Sequence, residues 1–143
     1  MKVSVMIIEL VEMANGVRSP PESVSGERGA AQVGATGKRL FHDPQVGCAV
    51  CHAPPLFTDW RRHEVGTERG KEAKGLPGRM PAIPGFDTPA PVECCRTAPY
   101  LHDGSAATMR EVLTTRNAGD RHGRTSHLTA RQLADLAAYV LSL

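Results

Sequence analysis

Five residues, Cys48-Ala-Val-Cys-His52, constrain this chain more than any other stretch. On a helical turn, residues i and i+3 share one side, about 5–6 Å apart. Two thiols so placed can form thioethers with vinyl groups on neighbouring pyrroles of one haem, and the next residue then projects an imidazole under the iron. On this basis Cys48 and Cys51 are expected to anchor haem c covalently, with His52 as proximal iron ligand. Two other chemistries use a Cys-x-x-Cys pair. Structural zinc needs four ligands, usually with a second Cys or His pair at matching spacing. The remaining cysteines, Cys94 and Cys95, are adjacent, which is awkward for one tetrahedral centre. A thioredoxin-like redox pair needs a surrounding βαβ pattern, and none is visible. Zinc would make the chain a zinc-stabilised interaction module, and it stays open as an alternative.

The 143 residues amount to about one domain. Seventeen Lys+Arg against fifteen Asp+Glu leave a net charge of +2 with no basic block, which argues against nucleic acid as a partner. No run approaches the roughly 20 apolar residues of a membrane span. Aromatic residues are few (Phe41, Phe57, Trp60, Phe86, Tyr100 and Tyr139), while 14 Gly and 11 Pro break the chain often. The core built by protein alone is therefore thin, and a bound cofactor would supply apolar surface. Four cysteines are too few for a disulfide-dense scaffold.

Residues 1–26 read as a strand (Val3 to Leu10) followed by a Gly/Pro-broken linker, the form a preceding domain would leave behind. The opening apolar stretch makes a poor secretory signal, because Glu9 interrupts it and no small-residue cleavage site follows. Residues 27–143 form the main domain. A short helix is expected over 30–41, weakened by Gly34 and Gly37. Residues 53–91 carry Pro54, Pro55, Pro77, Pro81, Pro84, Pro89 and Pro91, so regular structure there should be scant. Thr108-Met-Arg-Glu111 and Thr129-Ala-Arg-Gln132 are capping boxes opening two helices. In the second, Leu128 can staple onto Leu133, and Leu133, Leu136, Ala137, Val140 and Leu141 keep the spacing of an amphipathic helix.

A run of segments resembles the carboxy-terminal haem domain of the di-haem cytochrome c peroxidase and MauG-like family. They are GKRLFHD (37–43), GCAVCH (47–52), PLFTD (55–59), HEVGT (63–67), FDTP (86–89), RTAPYLHDGS (96–105) and LADLAAYVLSL (133–143), in the family's order. The resemblance covers roughly residues 27–143. It implies an all-α, cytochrome c-like fold: a few short helices around one covalent haem, with long Pro/Gly-rich loops. It also implies a periplasmic or otherwise extracytoplasmic home, where thioether links are made. Peroxidases of the family use two haems, and this chain has one Cys-x-x-Cys-His motif. A second haem domain would lie on another chain or on a missing amino-terminal part of this one, or be absent. Between FDTP and RTAPY the chain reads Ala90-Pro-Val-Glu-Cys-Cys95 where the family has a Leu-Arg-Gly-like stretch. A one-base frame slip would produce it and make Cys94 and Cys95 incidental; a vicinal-thiol metal site is the alternative.

The distal face decides whether such a haem carries electrons or binds small molecules. Relatives place a Met or Tyr in the loop before the last helix; here that loop offers His122 and His127, and no Met follows Met109. His122 is the distal candidate, with Met80, Met109 or an open site as alternatives. The resemblance puts His102 near the haem and His63 near its edge. Arg96 and the pair Arg61/Arg62 suit the haem propionates, and His42 has no assigned role. The expected function is a monohaem c-type cytochrome that passes single electrons between redox partner proteins. A haem half of a peroxidase or MauG-like oxidase is the alternative.

Overall fold

The computed structural model describes residues 29–67 and 84–143. Its helices are α1 (Ala30–His42), α2 (Cys48–Cys51), α3 (Met109–Leu113) and α4 (Ala130–Leu141), joined by a 3₁₀ turn at Cys94–Arg96. Two short strands, β1 (Arg62–His63) and β2 (Phe86–Asp87), pair antiparallel with Arg62 opposite Asp87 and His63 opposite Phe86. Four helices with so little sheet fit a cytochrome c-like fold. Among the described residues, the strand pair is the one piece of sheet in a stretch whose prolines forecast scant regular structure. The expected amino-terminal strand and linker, residues 1–26, and Met80 lie outside the described residues.

Helix α4 follows from its sequence directly. The Thr129 hydroxyl accepts from the Gln132 N–H at 3.3 Å, and Gln132 Oε1 accepts from the Thr129 N–H at 2.9 Å, closing the capping box. Leu133, Leu136, Ala137, Val140 and Leu141 are all buried, as their spacing requires, and Leu128 is buried in the same cluster as Leu133. Helix α3 opens differently. Thr108 caps it by accepting from Glu111 N–H, but Glu111 Oε2 reaches one residue further back and accepts from Ala107 N–H at 2.8 Å. The box is displaced by one residue, and the helix is only five residues long.

Helix α1 persists for 13 residues despite two glycines, each costing about 1 kcal/mol of helix propensity relative to Ala. Gly37 offsets that cost through packing. A Cβ there would lie 2.1 Å from the Asp135 carbonyl oxygen and 2.5 Å from Tyr139 Cβ, so only a bare backbone lets α1 cross α4 this closely. Gly34 has open space around it and no such return. One turn after the crossing come Leu40 and Phe41, both buried. The Phe41 ring meets Tyr139 and Phe57 edge-on, with centroids 5.5 and 6.0 Å away, and lies 6.5 Å from the His52 ring.

Gly37→Ala should therefore destabilise the fold by about 1–3 kcal/mol, or more if the helices must separate. Gly34→Ala should stabilise it by about 0.5–1 kcal/mol. Urea titrations of the two variants beside the parent chain check the opposite signs.

Candidate metal centre

The Cys-His turn is built by its own backbone. Asp43 ends α1, and its carbonyl accepts from Val46 N–H and Gly47 N–H at 3.0 and 2.8 Å. Gly47 sits at φ +83° as the cap of α2, so the following turn carries Cys48 and Cys51 at i and i+3. His52 closes it with its N–H on the Cys48 carbonyl at 2.9 Å. The imidazole of His52 is oriented from behind: Nδ1 lies 3.1 Å from the Phe57 carbonyl oxygen. A carbonyl can only accept, so Nδ1 carries the proton and Nε2 keeps its lone pair, the tautomer that a metal ligand needs. Burial lowers the His52 pKa against the opposing pull of the Phe57 and Pro89 carbonyls and Asp59, which favours the neutral ring. Burial raises the Cys48 thiol to about 11 and the Cys51 thiol in the same direction, the latter helped by the negative charge of Asp59.

A second imidazole lies close by. The ring centroid of His122 is 6.3 Å from that of His52, with the planes tilted by 43°. Metal–imidazole bonds are about 2 Å, so an ion held from both sides sets the ring centroids roughly 6–6.5 Å apart. Burial, with the His52 charge second, lowers the His122 pKa to about 4, so this ring too is neutral at ordinary pH. The loop that presents it holds its own shape. Buried Asn117 accepts from the His122 N–H at 2.7 Å and donates to the Gly123 carbonyl and Thr125 Oγ1 at 2.7 and 2.8 Å. Thr125 Oγ1 donates onward to the Leu113 carbonyl at 2.6 Å, and Asp120 Oδ1 accepts from the N–H groups of Thr125 and Ser126. Arg124 N–H reaches the Val46 carbonyl at 2.8 Å, and Gly123, at φ +78°, has Cys48 Sγ 3.8 Å from where its Cβ would stand. The loop is thus fastened directly to the Cys-His turn.

Around the rim, His63 Nε2 lies 2.7 Å from Asp59 Oδ2, and the ligating atoms of Cys51, Asp59 and His63 all fall within 4.8 Å of one another. Desolvation is the largest single influence on the Asp59 carboxyl and raises it, but the His63 ring, the Arg61 N–H and Thr88 together outweigh it and hold the group down at about 2. Among the described residues this is the one trio of metal-ligating side chains, and it contains none of Cys48, Cys94 and Cys95. Trp60 follows Asp59 at φ +57°, a left-handed backbone that costs a bulky residue about 1–3 kcal/mol. Hydrogen bonds impose it: Trp60 N–H donates to Thr58 Oγ1, which itself donates to the Thr88 carbonyl at 2.7 Å.

The other candidate residues disperse. His102 is exposed, stacked on Phe86 with centroids 3.8 Å apart, and 3.4 Å from Thr67 Oγ1. Arg96 is exposed and pairs with Glu93 at 3.7 Å. Met109 is buried among Val112, Leu113 and other core side chains. Arg62 bonds Asp87 and the Gly85 carbonyl, and His42 is exposed on the end of α1. Cys94 and Cys95 are free, half-buried thiols packed on the core, with Cys94 Sγ 3.6 Å from the Val140 carbonyl. Burial first, then the neighbouring Cys95, raises the Cys94 thiol to about 11. Sequence reasoning missed Asp59 and Asn117. The (i, i+4) spacing of Asp59 and His63 was the available sign of the first; nothing local announced the second.

No family model matches the chain. It is 32% identical to hydrazine synthase subunit gamma of Kuenenia stuttgartiensis, over 87% of this chain and 44% of that protein. It is 33% identical to methylamine utilization protein MauG of Methylorubrum extorquens, over 57% of this chain and 25% of the relative. It is 26% identical to cytochrome-c peroxidase IdrP1 of Denitromonas iodatirespirans, over 83% and 42%. The chain thus spans less than half the length of these relatives. In structure it resembles Kuenenia stuttgartiensis hydrazine synthase at a TM-score of 0.66 and 29% identity, covering 85% of this chain and 50% of that one. A MauG-like protein associated with microbial copper homeostasis shares the fold at a TM-score of 0.61, over 82% and 48%.

Asn117→Ala removes three hydrogen bonds from a buried site and strands the Gly123 carbonyl and the His122 N–H. It should cost about 2–4 kcal/mol in a denaturant titration. Asn117→Asp should cost at least as much, since it turns two donors into an acceptor facing a carbonyl.

Proposed function

This chain is a homologue of the di-haem c-type cytochromes of the MauG and cytochrome c peroxidase family, and from that footing we propose that it is a haem domain that transfers single electrons between redox partners. The donor set suits haem c. Cys48 and Cys51 offer thiols at thioether spacing, His52 offers a bare Nε2, and Phe41 lines the approach with an apolar ring. Haem bound here would supply an iron centre that takes up and releases one electron at a time.

The observation that carries this reading is the 6.3 Å between the rings of His52 and His122. Two neutral imidazoles at that separation would both be able to hold the iron of a bound haem, which would leave no place on it for a peroxide or water. The His52 ring is oriented by the Phe57 carbonyl, and the backbone that carries His122 is fixed by Asn117. Met109, committed to the core, is the poorer axial candidate. Sequence and family resemblance alone assign Arg96 and His102 to the haem surroundings; in the structure Arg96 is exposed and paired with Glu93, and His102 is stacked on Phe86. The names of two relatives, MauG and a cytochrome-c peroxidase, favour a second reading in which the chain is the haem half of an oxidase or peroxidase. Among the described residues no helix is long and apolar enough to cross a membrane. An extracytoplasmic site of action follows from the proposed thioether chemistry, redox proteins would be the partners, and a second haem domain is one partner of that kind.

The test is expression with c-type maturation machinery. A covalently haem-stained band on a denaturing gel, lost in Cys48→Ser/Cys51→Ser, and a six-coordinate low-spin spectrum inert to peroxide are expected. His122→Ala should convert the spectrum to high-spin and let added imidazole bind. A high-spin ferric parent that turns over peroxide would favour the enzyme. A colourless product with both thiols open to alkylation would overturn haem binding altogether.

A further inference from the structure

Cys94 and Cys95 are the cysteines that the Cys-His turn leaves over, and the fold gives them a place of their own. They open the 3₁₀ turn Cys94–Arg96, with both side chains half-buried against the core. Backbone bonds fix the turn. Cys94 N–H donates to the Pro91 carbonyl at 3.0 Å, and the Cys94 carbonyl accepts from the Thr97 N–H and hydroxyl at 3.0 and 3.1 Å. The Cys94 thiol donates to the Val140 carbonyl at 3.6 Å, in the last turn of α4. Electrostatically the pair is one unit. Cys95 acts on the Cys94 thiol, and the Tyr100 phenol is pushed up to about 12 by burial first and then by both cysteines.

The surroundings narrow what two such sulfurs can hold. The peptide between them is trans, so their Cα atoms are about 3.8 Å apart, short of the roughly 4.4–6.8 Å that a disulfide favours. Direct S–S closure is therefore disfavoured, and both thiols are free. Among the described residues no third cysteine, histidine or carboxylate joins them within ligating reach, so the four-ligand shell of structural zinc is absent. Negative charge is opposed here as well. The pair is half-buried, the last carbonyls of α4 form the negative end of its dipole, and the adjoining cation, Arg96, is engaged by Glu93. Copper(I) held by two thiolates would leave a net negative charge at this place. A trivalent arsenical would not.

We propose that Cys94 and Cys95 form a bidentate site for trivalent arsenic, as arsenous acid or an organoarsenical. In the step, two S–H bonds and two As–OH bonds break, two As–S bonds form, and two molecules of water leave. Arsenic stays trivalent, no electron is transferred, and the product carries no charge. The open half of the site leaves room for the third substituent on arsenic. Loss of the Cys94 S–H strands nothing, because the Val140 carbonyl also accepts from Leu143 N–H at 3.3 Å. The site owes nothing to the haem reading above, since it uses neither Cys48 nor Cys51.

The test treats the purified, matured full chain with phenylarsine oxide, washes it with excess 2-mercaptoethanol, and maps the product by mass spectrometry of proteolytic peptides. The peptide that carries Cys94 and Cys95 should hold one phenylarsenic group that resists the monothiol and is released by 2,3-dimercaptopropanol. Cys94→Ser and Cys95→Ser should each weaken retention about a hundredfold or more, because the second As–S bond is intramolecular. Mapping the parent chain gives an answer even where a variant fails to fold. An unmodified Cys94–Cys95 peptide after the wash overturns the proposal, as does a peptide isolated as a disulfide. So does a pair that withdraws copper(I) from bicinchoninate yet ignores phenylarsine oxide. An adduct found at Cys48 and Cys51 alone overturns it too, and separately defeats haem attachment.

Discussion

The close crossing of α1 and α4 at Gly37 is the contact on which the remaining geometry depends. With no side chain in the way, the backbone of α1 rests on the carbonyl of Asp135 and the Cβ of Tyr139. That approach fixes where the next turn of α1 delivers Phe41. The Phe41 ring then serves as a spacer that touches Tyr139 on one side and faces Phe57 and His52 on the others. A chain with only six aromatic residues uses this one to tie the helix pair to the candidate metal centre.

From that spacer outward, the site is positioned by backbone groups more than by side chains. The carbonyl of Phe57 sets the His52 tautomer, the carbonyl of Asp43 shapes the turn into α2, and the carbonyl of Val46 receives the loop that carries His122. Such an arrangement suits a protein whose apolar core is thin. Hydrogen bonds provide direction where packing alone would leave latitude, and the proposed haem would fill the space between the two rings with the apolar surface the polypeptide lacks.

Local signals were legible in the sequence and long-range ones were not. The Cys-x-x-Cys-His turn, the capping box at Thr129 and the apolar spacing of α4 each involve residues within about two helical turns, so the pattern and the structure coincide. Gly37 illustrates the limit: read along the chain it weakens a helix, and only its partner 98 positions later shows why it is there. At Thr108 the residue types of a capping box were present, yet Glu111 bonds Ala107, because side-chain reach is decided by the incoming chain direction. His122 was legible only as a candidate, in a loop without methionine, beside Met80, Met109 and an open site; its proximity to His52 is what the structure adds. The Asn117 bonds that hold it connect residues whose polar side chains look, in sequence, like those of any loop.

The loop from Asn117 to Ser126 is braced internally and needs nothing from the ring of His122 to keep its form. Backbone support and the side chain proposed to face the iron are therefore separable inheritances. A codon change at this one position could swap imidazole for thioether, phenol or a vacant coordination site while the scaffold stays as it is. Descendants of a common ancestor could in that way drift between conducting charge and activating oxidants without redesigning a helix.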